Sequence, residues 1–140
     1  MIFDELDARL GAVEGVESYE RMPSGDPARF DALELYDGGE EAIEGEASTT
    51  RLALEIVVQG YVEDFGGTAT HDRMADLHAR VVSALCGDAG TNLGGLVENI
   101  EISGSRRVDV PELAKKRRLG FAQDFTIIYA TPRGDPSQFA

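Results

Sequence analysis

Apolar positions recur at spacings of three and four in two segments and at a spacing of two in several others. Phe3, Leu6, Leu10 and Val13 share one face of a helix over residues 2–13, with Asp4 and Glu5 near its positive end and Gly11 and Gly15 at its close. Met74, Leu77, Val81, Ala84 and Leu85 form the apolar stripe of a longer helix within GGTATHDRMADLHARVVSALCGD. Thr70 is its expected N-cap, Asp72 lies in the first turn, and Gly87 is the C-cap.

Alternation of period two predicts the strands. GVESYERMP alternates and ends at Pro23; PSGDP is a turn; RFDALELYD sets Leu33 and Leu35 against Phe30, Ala32 and Glu34. In TTRLALEIVVQGYVED, Leu52, Leu54, Ile56, Val58 and Gly60 form one face, while Arg51, Ala53, Glu55, Val57 and Gln59 form a mixed one. One side therefore packs on something apolar and the other is partly wet. LVENIEISG and GFAQDFTIIYAT complete the set, the latter alternating Phe121, Gln123, Phe125, Ile127 and Tyr129 with Ala122, Asp124, Thr126 and Ile128. DGGEEAIEGEAS, with three glycines and five acids, is expected as a mobile exposed loop, and SRRVDVPELAKKRRL as a long polar connection. Loops are thus expected at 23–29, 37–49 and 104–118.

The order α-β-β-β-α-β-β describes an α+β domain: a mostly antiparallel sheet of four to five strands with two helices on one face. Its 140 residues fit a single domain, with residues 132–140, rich in Pro and Gly, as a loose C-terminal tail.

Charge sharpens this picture. The net charge is −13, yet the chain contains a run of four bases, Lys115, Lys116, Arg117 and Arg118. Residues 1–46 hold 14 acids against Arg9, Arg21 and Arg29, a net −11. Residues 106–118 hold six bases against Asp109 and Glu112, a net +4. A chain so divided can meet copies of itself head to tail. The blander alternative is a solvated acidic surface with one basic loop. General affinity for phosphate backbones is disfavoured by the overall acidity, and the basic run has only Phe121 as a nearby aromatic. A localisation signal is a weak reading of any short basic run. No apolar run approaches the ~18 residues of a membrane span, and the acidic start MIFDELDARL lacks the form of a secretory signal.

The search for chemistry finds no constellation. His71 and His78 stand two helical turns apart, about 10.5 Å along the axis, too far to share one metal even with Asp72 and Asp76 close by. Cys86, the single cysteine, ends a helix rather than beginning one and reads as a small buried apolar residue. Gly66-Gly67 and Gly94-Gly95 lack the lysine of a phosphate loop. No enzyme activity, metal or cofactor is expected.

Taken together, the N-terminal helix, RLALEIVVQGYVED, HDRMADLHARVVSALCGD, GLVENIEISG, the basic segment and FTIIYATPRGDP resemble the tail terminator (tail-completion) proteins of long-tailed siphophages and of phage-derived gene transfer particles. The resemblance covers most of the chain and rests on arrangement rather than a signature motif. It implies a structural virion protein of the tail or neck, assembled in the host cytoplasm. Such a protein forms a homohexameric ring that caps the tail tube, ends its polymerisation and offers the head-joining surface. Its partners would be itself, the tube protein below and a connector above, with DNA passing through the lumen unbound and no membrane involved. On that reading, Arg106, Arg107, Lys115, Lys116, Arg117 and Arg118 are candidate protein-interface residues. Asp37, Glu40, Glu41, Glu44 and Glu46 are candidates for an acidic lumen or for the face toward a ring neighbour. Another neck or connector component, a small ligand-binding α+β domain and a nucleic-acid-binding module are the alternatives.

Overall fold

A computed structural model describes residues 2–25, 27, 29–45, 49–87, 93, 95–110 and 118–132; for Glu44, Val108, Asp109, Val110 and Pro132 it describes the backbone. The fold is α+β, in the order α1 (Ile2–Gly11), β1 (Ser18–Arg21), β2 (Ala32–Gly45), β3 (Thr49–Glu63), α2 (Gly67–Cys86), β4 (Asn99–Val110) and β5 (Arg118–Pro132). The five strands form one sheet in the order β1-β2-β3-β5-β4. Only β1 pairs in parallel, with Ser18 opposite Ala32; the other three pairings are antiparallel. Among the described residues, no helix is long and apolar enough to cross a membrane.

One cluster of buried apolar side chains joins the two helices to one face of the sheet. Ile2, Leu6 and Leu10 of α1 and Met74, Leu77, Val81 and Leu85 of α2 meet Leu33, Leu35, Leu54, Ile56, Val58, Phe121, Phe125 and Ile127. Each fully buried Leu, Ile or Phe contributes on the order of 1.5–3 kcal/mol relative to exposure, so this cluster dominates the fold's stability. The alternation in β3 and β5 holds as expected: Leu54, Ile56 and Val58 are buried, and Glu55 between them is exposed. In α1 the stripe includes Ile2 rather than Phe3, which is only partly buried and carries the Arg21 guanidinium 5.6 Å from its ring centre.

Three expectations are corrected. The acidic stretch DGGEEAIEG is not a loop, because β2 runs through it to Gly45. Strand pairing uses backbone groups, and β3 offers its whole edge, so Glu40, Glu41 and Ala42 sit opposite Leu54, Ala53 and Leu52 despite poor strand propensity. Glycines permit the first register shift, between Asp37 and Glu40, where a Cβ on Gly38 would come 2.9 Å from the Glu55 carbonyl oxygen; a second shift, between Ala42 and Glu44, falls at Ile43. The connection expected over 104–118 is mostly strand too, since Gly104 to Val110 pair with Asp124 to Arg118. Finally, Thr70 does not cap α2. The helix starts from Gly66 at φ 77°, whose N–H donates to Asp64 Oδ1 at 2.8 Å, and the Thr70 hydroxyl donates back to the Gly66 carbonyl at 3.1 Å. Gly87 does close the helix, its N–H donating to the Ser83 carbonyl at 2.8 Å.

Candidate protein–protein interface

The sheet register puts the two long hairpins at opposite ends of the molecule. Thr49, next to the β2–β3 turn, lies opposite Pro132, whereas Glu63 lies opposite Arg118, next to the β4–β5 turn. At about 3.3 Å per residue the fifteen residues of β3 separate the two turns by roughly 45 Å. The first hairpin carries Asp37, Glu40, Glu41, Glu44 and Glu46 with no base between them; the second carries Arg106, Arg107 and the KKRR run. Among the described residues, Glu40 and Glu41 therefore lie toward one end of β3, and Arg106, Arg107 and Arg118 toward the other.

The acidic hairpin presents its charge largely to solvent. Asp37 Oδ1 accepts from the Gly39 N–H at 2.8 Å, Glu40 accepts from the Tyr129 hydroxyl, and Glu41 is exposed. The Glu44 side chain and all of Glu46 lie outside the described residues. Arg51, the nearest base, turns toward β4, where Nε and Nη2 each donate to Glu98 at 2.8 Å. This fork holds the Glu98 carboxyl below its usual range. Burial and the Glu40 carboxylate push the Tyr129 phenol well above its ordinary value, which keeps it a donor.

On the basic hairpin each described arginine has a partner within the domain. Arg106 Nη1 lies 3.1 Å from both carboxylate oxygens of Asp124. Arg107 Nη1 lies 3.4 Å from His78 Nδ1. Arg118 is not on the connection but in β5, half-buried, its guanidinium 4.8 Å from the centre of the Tyr61 ring on the sheet face away from the helices. Close by on that face, the Tyr36 hydroxyl donates to Glu34 at 3.1 Å, and burial with this carboxylate pushes the Tyr36 phenol up to about 12. Lys115, Lys116 and Arg117 lie outside the described residues, as do Glu112, Gly94 and the 133–140 tail.

Beneath Arg107 is a constellation that the sequence did not advertise. Gln123 is 2% exposed; its Nε2 donates to the carbonyls of Gly104 at 2.8 Å and Asp124 at 3.0 Å. Its remaining atom is an acceptor, so His78 Nε2, 2.8 Å away, carries the proton and Nδ1 is left as the acceptor facing Arg107. The His78 ring stacks on Phe121 at 4.5 Å between centroids. Phe121 in turn lies on Gly60, where an added Cβ would come 2.4 Å from the ring. The signal for this stack was the single glycine in the middle of the β3 alternation. His71 lies elsewhere, exposed, 3.9 Å from Asp72.

Next to this stack, the outer flank of α2 and strand β4 enclose an apolar groove of about 530 Å³, lined by Ala75, His78, Ala79, Val82, Cys86 and Ile102, with Ser83 and Gly87. Cys86 is half-buried at its wall rather than sealed in the core, and burial pushes its thiol up, away from reactivity. Ile102 is 53% exposed, although it stands opposite buried Phe125 on the helix side of the sheet; the register shift follows it, between Ile102 and Gly104.

No protein-family model and no curated protein sequence matches the chain. Among solved structures the chain is similar to one in the "Virion of native gene transfer agent (GTA) particle", with 14% identity, a TM-score of 0.40 and 91% of each chain covered.

Proposed function

We propose that this protein is a structural virion component of the tail terminator type: a ring of identical subunits, six in number, that caps the tail tube, stops its growth and presents the surface that joins the head. The observation that carries this reading is the pair of oppositely charged hairpins about 45 Å apart at the two ends of one sheet. A subunit built this way makes heterologous contacts, its acidic tip meeting the basic tip of the next copy, and heterologous contacts close into rings when the rotation permits. The residue arrangement resembling tail terminators supports the same reading.

On this reading the protein is mechanical rather than catalytic. Arg106, Arg107 and the KKRR run contact the ring neighbour or the tube and neck proteins. Of the two roles open to Asp37, Glu40, Glu41, Glu44 and Glu46, facing the ring neighbour is the one the hairpin geometry favours. The remaining excess of acid keeps the lumen repulsive to the DNA that crosses it. Deleting the gene from the particle that encodes it tests the proposal. Overlong or headless tails are expected; tails of normal length that still attach to heads would contradict termination. Tails of normal length that lack heads would point instead to a connector.

A further inference from the structure

Two isoleucines stand out on the surface. Ile43 is 51% exposed and Ile102 is 53% exposed. Both accompany register shifts: Ile43 is the extra residue between Ala42, opposite Leu52, and Glu44, opposite Arg51, and Ile102 precedes the shift in β4. The bulge takes Ile43 out of the alternation of β2, whereas Ile102 keeps the helix-side phase of Ile100 and is exposed beside α2. Ile102 is part of the wall of the α2–β4 groove; Ile43 sits among Glu40, Glu41 and Glu44.

The groove suits such a visitor. None of its eight lining residues is acidic, in a chain with 26 acids against 13 Lys and Arg. At one end the exposed Arg107 adds positive charge where the carboxylates flanking Ile43 would arrive. Both segments are also open at their strand edges. β4 is the outermost strand, and β1 covers β2 only from Ala32 to Leu35. Backbone groups on either side can therefore approach one another.

We infer that the α2–β4 groove receives the acidic β2–β3 hairpin of a second copy of this chain, with Ile43 seated against Ala79, Val82, Cys86 and Ile102 and Glu41 facing Arg107. The inference rests on the proposed ring and names the contact that builds it. The donor and acceptor surfaces are different patches of one molecule, so the contact propagates from copy to copy instead of closing as a pair.

The single cysteine makes the contact testable. Cys86 lies in the groove, so Ile43→Cys gives a chain with one thiol on each half of the contact. A short bismaleimide joins two thiols by adding each across a ring double bond, with no oxidant, and mildly alkaline pH offsets the raised Cys86 thiol. Ile43→Cys is expected to give a ladder on a denaturing gel that climbs beyond the dimer. Wild type and Ile43→Cys/Cys86→Ser, with one thiol each, stop at the dimer. Independently, Arg107→Glu is expected to raise the concentration needed for assembly by about tenfold, with recovery on adding Glu41→Arg. A protein that assembles to the wild-type mass in native mass spectrometry, but whose Ile43→Cys ladder stops at the dimer, would overturn this contact and leave the ring standing. A protein that stays monomeric at every concentration would remove both.

Discussion

The two hairpins are built alike and furnished in opposite ways. Each has long antiparallel strands interrupted by register shifts, and each projects from the same sheet. The described arginines of the basic hairpin are tied down, Arg106 by Asp124, Arg107 by His78 and Arg118 by Tyr61. Among the described residues of the acidic hairpin, Glu40 is tethered by the Tyr129 hydroxyl, Asp37 accepts from the Gly39 N–H, and Glu41 stands in solvent. The difference shows that a charged patch can be preorganised on one side of a contact and left adaptable on the other. In the proposed contact, the tethered Arg106 and Arg107 would lose less ordering entropy than the exposed Glu41.

Substitutions within the hairpins should separate them most. Phe121→Ala empties a fully buried site under the basic hairpin and is expected to cost about 3–5 kcal/mol in chemical denaturation. Gly60→Ala forces that same ring to move and should cost about 1–3 kcal/mol. Glu41→Lys on the acidic hairpin is expected to stay within about 0.5 kcal/mol of wild type. Equal losses at Gly60 and Glu41 would erase the contrast.

Next in size is Gln123→Leu. It strips a donor from the carbonyls of Gly104 and Asp124 and an acceptor from His78, for an expected loss of about 1–3 kcal/mol. Ring nitrogen shifts in NMR should report His78 protonated at Nε2 in the wild type; a proton at Nδ1 instead would contradict the assigned hydrogen bonds. Arg118→Met is smaller, about 0.5–1 kcal/mol, through loss of the cation over Tyr61. No change in stability, with a change in assembly, would return Arg118 to the set of purely intermolecular residues.

The smallest expected effect is at alkaline pH. Tyr19, Tyr36 and Tyr129 all have phenols raised by burial and a neighbouring carboxylate, Tyr36 to about 12. A raised phenol stabilises the fold fully below its unfolded value of about 10, and that contribution is lost as pH climbs through the folded value. Stability should therefore hold up to about pH 10 and decline toward 12. Tyr129→Phe should shorten the decline and speed amide exchange in the acidic hairpin. Ordinary phenol titration near 10 at all positions would remove the tether.

The sequence displayed the parts of the fold that hydrophobic period decides. Leu54, Ile56 and Val58 in β3, Phe121 to Tyr129 in β5 and the Met74–Leu85 stripe in α2 bury one face each, and that face is legible as spacing. The second half of β2 was hidden because Glu40, Glu41 and Gly45 carry no strand signal; the backbone of β3 recruits them. Bulges are equally silent, so the exposure of Ile43 emerges only from register, and the groove beside Ile102 only from how α2 lies along β4. The charge division was visible in the sequence. Its placement at opposite ends of the sheet was not, because that follows from which strand pairs with which. Arg118 looked like one of four loop bases, yet a strand that begins two residues before the expected GFAQDFTIIYAT places it over Tyr61.

A charge swap tests the head-to-tail account most directly. One variant converts Glu40, Glu41 and Glu44 to Lys, a second converts Arg106, Arg107 and the KKRR run to Glu, and a third carries both changes. Assembly of each is followed by native mass spectrometry. The account predicts that each single reversal stays monomeric and that the doubly reversed chain, whose tips are again opposite in sign, returns to a six-membered ring. A doubly reversed chain that remains as monomeric as its parents, while all three are folded, would contradict it.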